Sequence, residues 1–144
     1  MKQIHLYSDG SSLGNPGPGG WGTILVFKGK EKELSGSDPL TTNNRMELTG
    51  VIEGLKALKE PCEVEIISDS KYVVQTINEW LKGWIAKGWR TASKTPVKNQ
   101  ELWEEYVKVS KPHTIKATWV KGHAGHEHNE RCDVLARSEA EKLQ

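Results

Sequence analysis

Residues 4–21 read IHLYSDGSSLGNPGPGGW, and this stretch decides the fold. It begins as a β-strand whose side chains alternate, with Leu6 and Ser8 on one face of a sheet and Tyr7 and Asp9 on the other. The pattern ends at Asp9, and a turn-rich loop follows before apolar residues resume as a second, antiparallel strand. A carboxylate at this point fits an ordinary hairpin as well as a functional site.

Two phosphate-binding motifs are excluded. Residues 17–22, GPGGWG, match G-x-G-x-x-G, but the strand-like WGTILVF overlaps and follows them, where the dinucleotide-binding fingerprint requires a helix. The chain contains no G-x-x-x-x-G-K-[ST]. We therefore expect neither a dinucleotide-binding fold nor a Walker-type nucleotide site.

The composition is typical of a soluble globular protein. The 144 residues, 35% of them hydrophobic, suffice for one domain spanning residues 1–144. No apolar run is long enough to span a membrane, and the first residues do not form a signal peptide. Cys62 and Cys132 predict two buried free thiols in a reducing compartment. We expect a cytoplasmic monomer that does not associate with membranes.

A basic, Trp-rich segment occupies residues 80–100 and is predicted to protrude from the domain. It holds five of the 20 basic residues and none of the 19 acidic ones. Cations interleaved with aromatic rings favour contact with a nucleic acid, and the alternative is a solvated helix whose Trp residues pack into the core. The residues concerned are Trp80, Lys82, Trp84, Lys87, Trp89, Arg90, Lys94 and Lys98.

The order of the elements predicts an α/β fold. It consists of a five-stranded mixed sheet, with three antiparallel strands plus two parallel ones, and helices on both faces. Pro39 is expected to end the third strand. The strands are predicted at about residues 2–9, 21–28, 31–37, 63–67 and 114–120. One helix is expected to end near residue 59 and a second to follow residue 69. Two further helices are expected at residues 99–110 and 129–142.

Four carboxylates stand at special positions in this pattern. Asp9 and Asp69 each follow a strand, and they meet if those strands are parallel neighbours, because open α/β sheets place their sites at such strand ends. Glu47 lies roughly 75° from the centre of the apolar stripe of its helix, at the edge of the packing face. Asp133 has a similar position on the last helix. For Asp69, a helix N-cap is the alternative.

Such a cluster predicts a metal site. Four carboxylates cannot all ionise in a dry site without compensation, and divalent cations supply it. Oxygen ligands suit Mg²⁺, with Mn²⁺ as a possible substitute, and no Cys or His set favours zinc. Two such ions are the usual means of cutting a phosphodiester.

Five motifs carry a specific resemblance to a known family. They are YSDGSSLGNPGPGGW, TTNNRMEL, SDSKYV, GWRTASKTPVKN and WVKGHAGHEHNERCD. With them, the chain closely resembles type 1 ribonuclease H of bacteria over essentially its full length. The resemblance implies a ribonuclease H-like fold and an endonuclease that cleaves the RNA strand of RNA–DNA hybrids with two metal ions, leaving 5′-phosphate and 3′-hydroxyl ends.

The resemblance also implies roles for individual residues. The family's four metal-binding acids match Asp9, Glu47, Asp69 and Asp133, and its catalytic loop histidine matches His123. Lys71 stands where bacterial relatives often carry Gln, which changes a substrate contact. The substrate-binding positions match Asn15, Thr42, Asn43 and Asn44, with Trp80 and Trp103 on the DNA side.

Chemistry supports hybrid recognition independently of the resemblance. Asn side chains can both donate to and accept from 2′-hydroxyls, which only the RNA strand carries. Two alternatives remain open at this point. One is a binding module that holds a hybrid or duplex without cleaving it, and the other is a nuclease of the same fold, such as an integrase-like enzyme, that acts on DNA.

Overall fold

A computed structural model describes residues 1–91, 93–122 and 126–144 of the chain. The strands are β1 (Lys2–Ser12), β2 (Gly17–Phe27), β3 (Lys30–Thr41), β4 (Cys62–Ser68) and β5 (Thr114–Trp119). The helices are α1 (Asn43–Lys56), α2 (Lys71–Gln75), α3 (Leu81–Ala86), α4 (Gln100–Ser110) and α5 (Glu127–Glu141), and a π-helical turn (Thr76–Trp80) joins α2 to α3.

The five strands form one mixed sheet in the order β3-β2-β1-β4-β5. β1 pairs antiparallel with β2, and β2 pairs antiparallel with β3. β4 lies parallel to β1 on one side and to β5 on the other. The predicted fold class is therefore confirmed, including the parallel pairing of β1 with β4 that the site requires.

The first two strands are longer than predicted. Pairing continues past Asp9 and joins Gly10 to Trp21 and Ser12 to Gly19. The glycines of β2 serve close packing here, because a Cβ at Gly22 would overlap the backbone of α5. The sequence pattern indicated a loop, but the same residues form a strand that a helix covers closely.

β3 also exceeds its predicted end. It continues through Pro39 to Thr41, with a register shift opposite Gly17 and Gly19. β3 is an edge strand, and a proline there can direct its missing N–H away from the ladder. The expectation that Pro39 ends the strand was wrong for this reason.

Helices cover both faces of the sheet. Gly54 of α1 lies against Leu6 and Thr23, whereas α5 lies against Gly20 and Gly22, which point to the opposite face. The main core lies on the α1 side, where the sheet packs against apolar side chains of α1, α2 and α4. Its largest fully buried members include Leu6, Leu48, Val51, Leu55, Ile66, Val73 and Trp103.

Both cysteines are buried and free, as predicted. Among the described residues, no helix has the length and apolar character needed to cross a membrane.

Candidate active site

Three carboxylates converge just beyond the point where the pairing of the two central strands ends. Each of Asp9, Glu47 and Asp69 offers a carboxylate oxygen, and these atoms all lie within 4.8 Å of one another. Asp9 is part of β1, and Asp69 comes directly after β4, the parallel neighbour of β1. The predicted parallel pairing of the two strands, which ends at Tyr7 and Ile67, brings these two side chains together, although β1 itself continues past Asp9.

Glu47 reaches the cluster from α1. Thr42 caps this helix, and its side chain accepts a hydrogen bond from the N–H of Arg45 at 3.3 Å. Gly10 lets α1 approach β1 closely, since a Cβ at that position would overlap the backbone of Met46 and Glu47. The predicted position at the edge of the packing face is correct, and Glu47 is only 5% exposed.

Burial makes ionisation of the cluster unfavourable. Desolvation, followed by the charge of Asp69, raises the pKa of Asp9 to about 6, although hydrogen bonds from Glu47 and from the N–H of Gly10 act in the opposite direction. Desolvation and the charge of Asp9 raise the pKa of Glu47 well above its ordinary value. Each of the two carboxyls therefore favours its protonated form more than a free carboxyl does, and ionisation of one disfavours ionisation of the other.

The alternative role of Asp69 as a helix cap is not seen. Ser70 caps α2, and its hydroxyl accepts from the N–H of Val73 at 3.2 Å. The backbone of Asp69 is held by Trp119, whose indole N–H donates to the Asp69 carbonyl at 3.0 Å. Gly122 also lies close to the Asp69 side chain. Asp69 is therefore part of the carboxylate cluster, not a cap.

Asp133 lies beside this cluster in a narrow cleft. Among the described residues, it is not part of the group whose oxygens lie within 4.8 Å of one another. It extends from α5, and its Oδ2 accepts from Nε of Arg137 at 3.0 Å. The lining of the cleft consists of Asp9, Asp69, Lys121, His126, Asn129, Glu130 and Asp133.

Sequence reasoning missed several residues of this cleft. Lys121, Asn129 and Glu130 line it, and Nδ2 of Asn129 donates to the carbonyl of Ile67 at 3.2 Å. Their signal was weak because each looks like an ordinary polar residue of a loop or a helix start. His123, the predicted catalytic histidine, lies outside the described residues.

The predicted RNA-binding residues lie close to the cluster in the chain and are accessible. Asn15 is exposed and precedes Pro16 across a cis peptide bond. Asn43 and Asn44 are exposed in the first turn of α1, and Nδ2 of Asn43 approaches Oε1 of Glu47 at 3.5 Å. Thr42 is half-buried as the cap of that helix.

Lys71 forms a pair with Trp119. Its ammonium group lies 5.0 Å from the centroid of the indole ring, which is the ring that holds the Asp69 carbonyl. Lys71 itself is exposed at the start of α2. A cation therefore stands next to the carboxylate cluster at the position where we expected an altered substrate contact.

The structure of the basic segment agrees in part with each interpretation of its sequence, the nucleic-acid contact and the helix whose Trp residues pack into the core. Trp80 is 43% exposed, while Trp84 and Trp89 are partly buried against the core. The cationic side chains all lie on exposed residues, and they are Lys82, Lys87, Arg90, Lys94 and Lys98. Two of the three indoles thus anchor the segment, and the charges face solvent.

Trp103 requires a correction. The family pattern implied a contact with DNA, but Trp103 is 0% exposed and therefore has no surface to offer a substrate. Its indole N–H donates to the hydroxyl of Tyr72 at 2.8 Å, and Nδ2 of Asn99 donates to the same hydroxyl at 3.0 Å. Trp103 supports the surface that carries Trp84 from inside the core.

Comparison with known proteins establishes the family. The family model described as RNase H matches residues 1–141. The chain belongs to the ribonuclease H family. The ribonuclease H of Sulfurovum sp. (strain NBC37-1) is 61% identical over 142 residues, which are 99% of this chain and 93% of that relative.

Solved structures of ribonuclease H agree with the fold. The crystal structure of LC9-RNase H1, described as a type 1 RNase H with the type 2 active-site motif, has a TM-score of 0.89 and 33% identity, and the match covers 100% of this chain and 74% of that one. LC11-RNase H1, solved in complex with an RNA/DNA hybrid, has a TM-score of 0.63 and 24% identity over 96% of this chain and 97% of that one.

Proposed function

We propose that the chain is an endonuclease that hydrolyses the RNA strand of RNA–DNA hybrids at its carboxylate cluster. The observation that carries this is the convergence of Asp9, Glu47 and Asp69 within 4.8 Å in a member of the ribonuclease H family. The products are RNA fragments with 5′-phosphate and 3′-hydroxyl ends.

The cluster is suited to divalent cations, on which the ribonuclease H family depends. Oε2 of Glu47 is buried and has no hydrogen-bond partner among the described residues. Burial also raises the pKa of Asp9 to about 6, so its ionised form is unfavourable there unless a cation compensates the charge. We infer that Asp9, Glu47, Asp69 and Asp133 hold two Mg²⁺ ions when substrate is bound and that Mn²⁺ can substitute. When bound, such ions activate the attacking water and stabilise the leaving oxygen.

The protein's own residues prepare this site. The N–H of Gly10 donates to Oδ1 of Asp9 at 2.8 Å and fixes the orientation of that carboxylate. Trp119 holds the backbone of Asp69, and the closely packed α1 keeps Glu47 out of water. Asp9 and Glu47 therefore come from β1 and α1, and Asp69 directly follows β4, so hydrogen bonds and packing orient the carboxylates before the reaction.

Recognition of the hybrid is assigned to two surfaces. Asn15, Thr42, Asn43 and Asn44 would contact the 2′-hydroxyls of the RNA strand. Trp80 would lie against the DNA strand, where a deoxyribose without a hydroxyl can approach an aromatic ring. Lys71 and the five cations of the basic segment would contact phosphates, with Trp84 and Trp89 supporting them.

His123 is proposed as an accessory group that moves a proton or assists product release. Its position in a Gly-rich sequence, KGHAGH, motivates this role. The cytoplasmic location, the monomeric state and the single domain with a basic protrusion remain predictions.

A strand-specific assay tests the proposed function. Each strand of a hybrid is labelled in turn, and cleavage is followed in Mg²⁺ and in EDTA, with single-stranded RNA and both homoduplexes as comparison substrates. We expect Mg²⁺-dependent cutting of the RNA strand of the hybrid alone. Binding without cleavage would support the binding-module alternative, and cutting of DNA would support a DNA-acting nuclease. Either result would overturn the proposal.

A further inference from the structure

A group of five side chains fastens the start of α5 to the sheet, and we name it the α5 clamp: Tyr7, Glu31, Glu33, His128 and Arg131. Arg131 bridges two carboxylates of β3, with its NH1 2.8 Å from Oε1 of Glu31 and its NH2 2.5 Å from Oε2 of Glu33. Nε2 of His128 lies 2.6 Å from Oε2 of Glu31. The His128 ring stacks on Tyr7, with centroids 4.5 Å apart and an interplanar angle of 16°.

The α5 clamp shares a sheet face with the active site. Along β1, Tyr7 and Asp9 are two residues apart and point to the same face. Glu33 pairs with Ile24 of β2, which in turn pairs with Tyr7, so these side chains occupy that face as well. The clamp therefore joins α5 to the strand that carries Asp9.

Outside the clamp, Nδ2 of Asn129 at the start of α5 donates to the carbonyl of Ile67 in β4 at 3.2 Å. Farther along α5, the buried residues Cys132, Ala136 and Ala140 are small, and the helix backbone with the Cβ atoms of Leu135 and Glu139 lies over Gly20 and Gly22 of β2. Small buried side chains and glycines permit close approach but provide few protrusions that interlock. The clamp contacts at the start of the helix are thus well placed to fix its rotation and its position along the strand.

Asp133 is the site residue that depends on this placement. It comes two residues after Arg131 and lies in the cleft beside Asp9 and Asp69. Unlike the other three carboxylates, it is not in the tight group found among the described residues. A small rotation or shift of α5 would therefore change the distance from Asp133 to the other three carboxylates, which lie on other parts of the chain.

We propose that the α5 clamp positions Asp133 for cation binding, an inference that rests on the proposed function. Its members are positioning residues, since none touches the cluster in the described contacts. The hydrogen bonds from Arg131 and His128 lower the pKa of Glu31 from its ordinary value, which is consistent with an ionised, charge-assisted contact.

The test is calorimetric titration of Mg²⁺ into the substrate-free protein. Arg131→Gln removes a positive charge, so electrostatics alone would leave cation affinity unchanged or strengthen it. Loss of positioning predicts the opposite sign, a weakening of about tenfold, which is at the low end of the effect of removing groups that orient metal ligands. Glu31→Gln combined with Glu33→Gln should weaken Mg²⁺ binding similarly.

Lys142→Gln is the matched control, because it also removes one cation from an α5 ion pair, the one with Glu139 at the far end of the helix. We expect wild-type Mg²⁺ affinity in this variant. If Arg131→Gln does not fold, Arg131→Lys retains the charge without the two-pronged contact and should give an intermediate loss. Unchanged or tighter Mg²⁺ binding in the folded Arg131 variant would overturn the inference. Absence of Mg²⁺-dependent cleavage of the RNA strand by the wild type in the strand-specific assay would instead overturn the proposed function.

Discussion

Asp9 is the buried charge on which the proposed chemistry depends most directly. Asp9→Asn should abolish cleavage because it removes a cation ligand. In the absence of divalent cations at pH 8, it should also raise the free energy of unfolding by about 1–3 kcal/mol, since a carboxyl whose pKa is raised to about 6 is ionised there at a cost. Urea titration and the hybrid assay measure the two effects.

Asp38→Asn is the control for this change. Asp38 is the aspartate outside the proposed site, and its Oδ1 accepts from the N–H of Leu40 at 3.0 Å, which an amide oxygen can also do. We expect near-normal cleavage and stability. Normal turnover by Asp9→Asn at saturating Mg²⁺ would exclude the proposed role of Asp9.

Substitution of Trp103 should affect stability, whereas substitution of Trp80 should affect KM. Trp103→Phe loses buried volume and the donor to Tyr72, so it should lower the free energy of unfolding by about 1–3 kcal/mol and leave KM unchanged. Trp80→Ala should raise KM and change stability by less than about 1 kcal/mol, because Trp80 is 43% exposed. Steady-state kinetics on a hybrid, with denaturant titration of the same samples, separates the two. A raised KM for folded Trp103→Phe would mean that this core position also shapes the binding surface.

At the residue scale, the sequence was informative where periodicity determines direction. Helical periodicity placed Glu47 at the edge of a packing face, and the expected parallel pairing of the first and fourth strands placed Asp9 and Asp69 together. The sequence was uninformative for Trp103, since the burial of that indole depends on Tyr72, which is 31 residues away in the chain. A contact of that separation leaves no local pattern.

The basic segment is the element whose charge should matter for affinity. Neutralising Lys87, Arg90 and Lys94 together should raise KM, flatten its salt dependence and leave kcat largely unchanged, because each cation that binds a phosphate releases counterions. The slope of log affinity against log salt should fall by about one for each phosphate-binding cation that is neutralised. Kinetic titration at several salt concentrations is the measurement.

A second triple variant, which removes three positive charges from another surface, provides the comparison. Lys28, Lys30 and Lys32 are exposed on and near β3, so their neutralisation should leave the salt slope as in the wild type. An unaltered slope in the Lys87, Arg90 and Lys94 variant would show that the hybrid lies elsewhere.

At the element scale, the sequence identified every strand but misplaced the ends where tertiary contacts decide them. The residues from Gly10 to Ser12 look like a loop, yet they pair with β2. Pro39 remains in a strand because β3 is at the edge of the sheet. The π-helical turn at residues 76–80 had no local signal, since it depends on how two short helices are joined.

At the scale of the whole molecule, the free energy of unfolding depends on the protonation of the carboxylate cluster. Without cations, the raised pKa of Asp9 means that the folded chain binds more protons than the unfolded chain between about pH 4 and pH 6. The contribution of Asp9 to stability is therefore fully present below that window and falls as the pH rises through it. Glu47 acts in the same direction, because burial raises its pKa as well.

Under the proposed function, Mg²⁺ should reverse this trend, because it would bind the ionised carboxylates and displace their protons. At a free concentration ten times its Kd, the expected stabilisation is about 1.4 kcal/mol, or about 3–6 °C in Tm for a chain of this length. We expect this increment at pH 8 and a much smaller one at pH 5. Thermal unfolding in Mg²⁺ and in EDTA across that pH range measures it, and other titrating groups cancel in the difference between the two series. Asp9→Asn should show little increment at any pH. An increment of equal size at pH 5 and pH 8, or one retained in Asp9→Asn, would place the stabilising cation away from the carboxylate cluster.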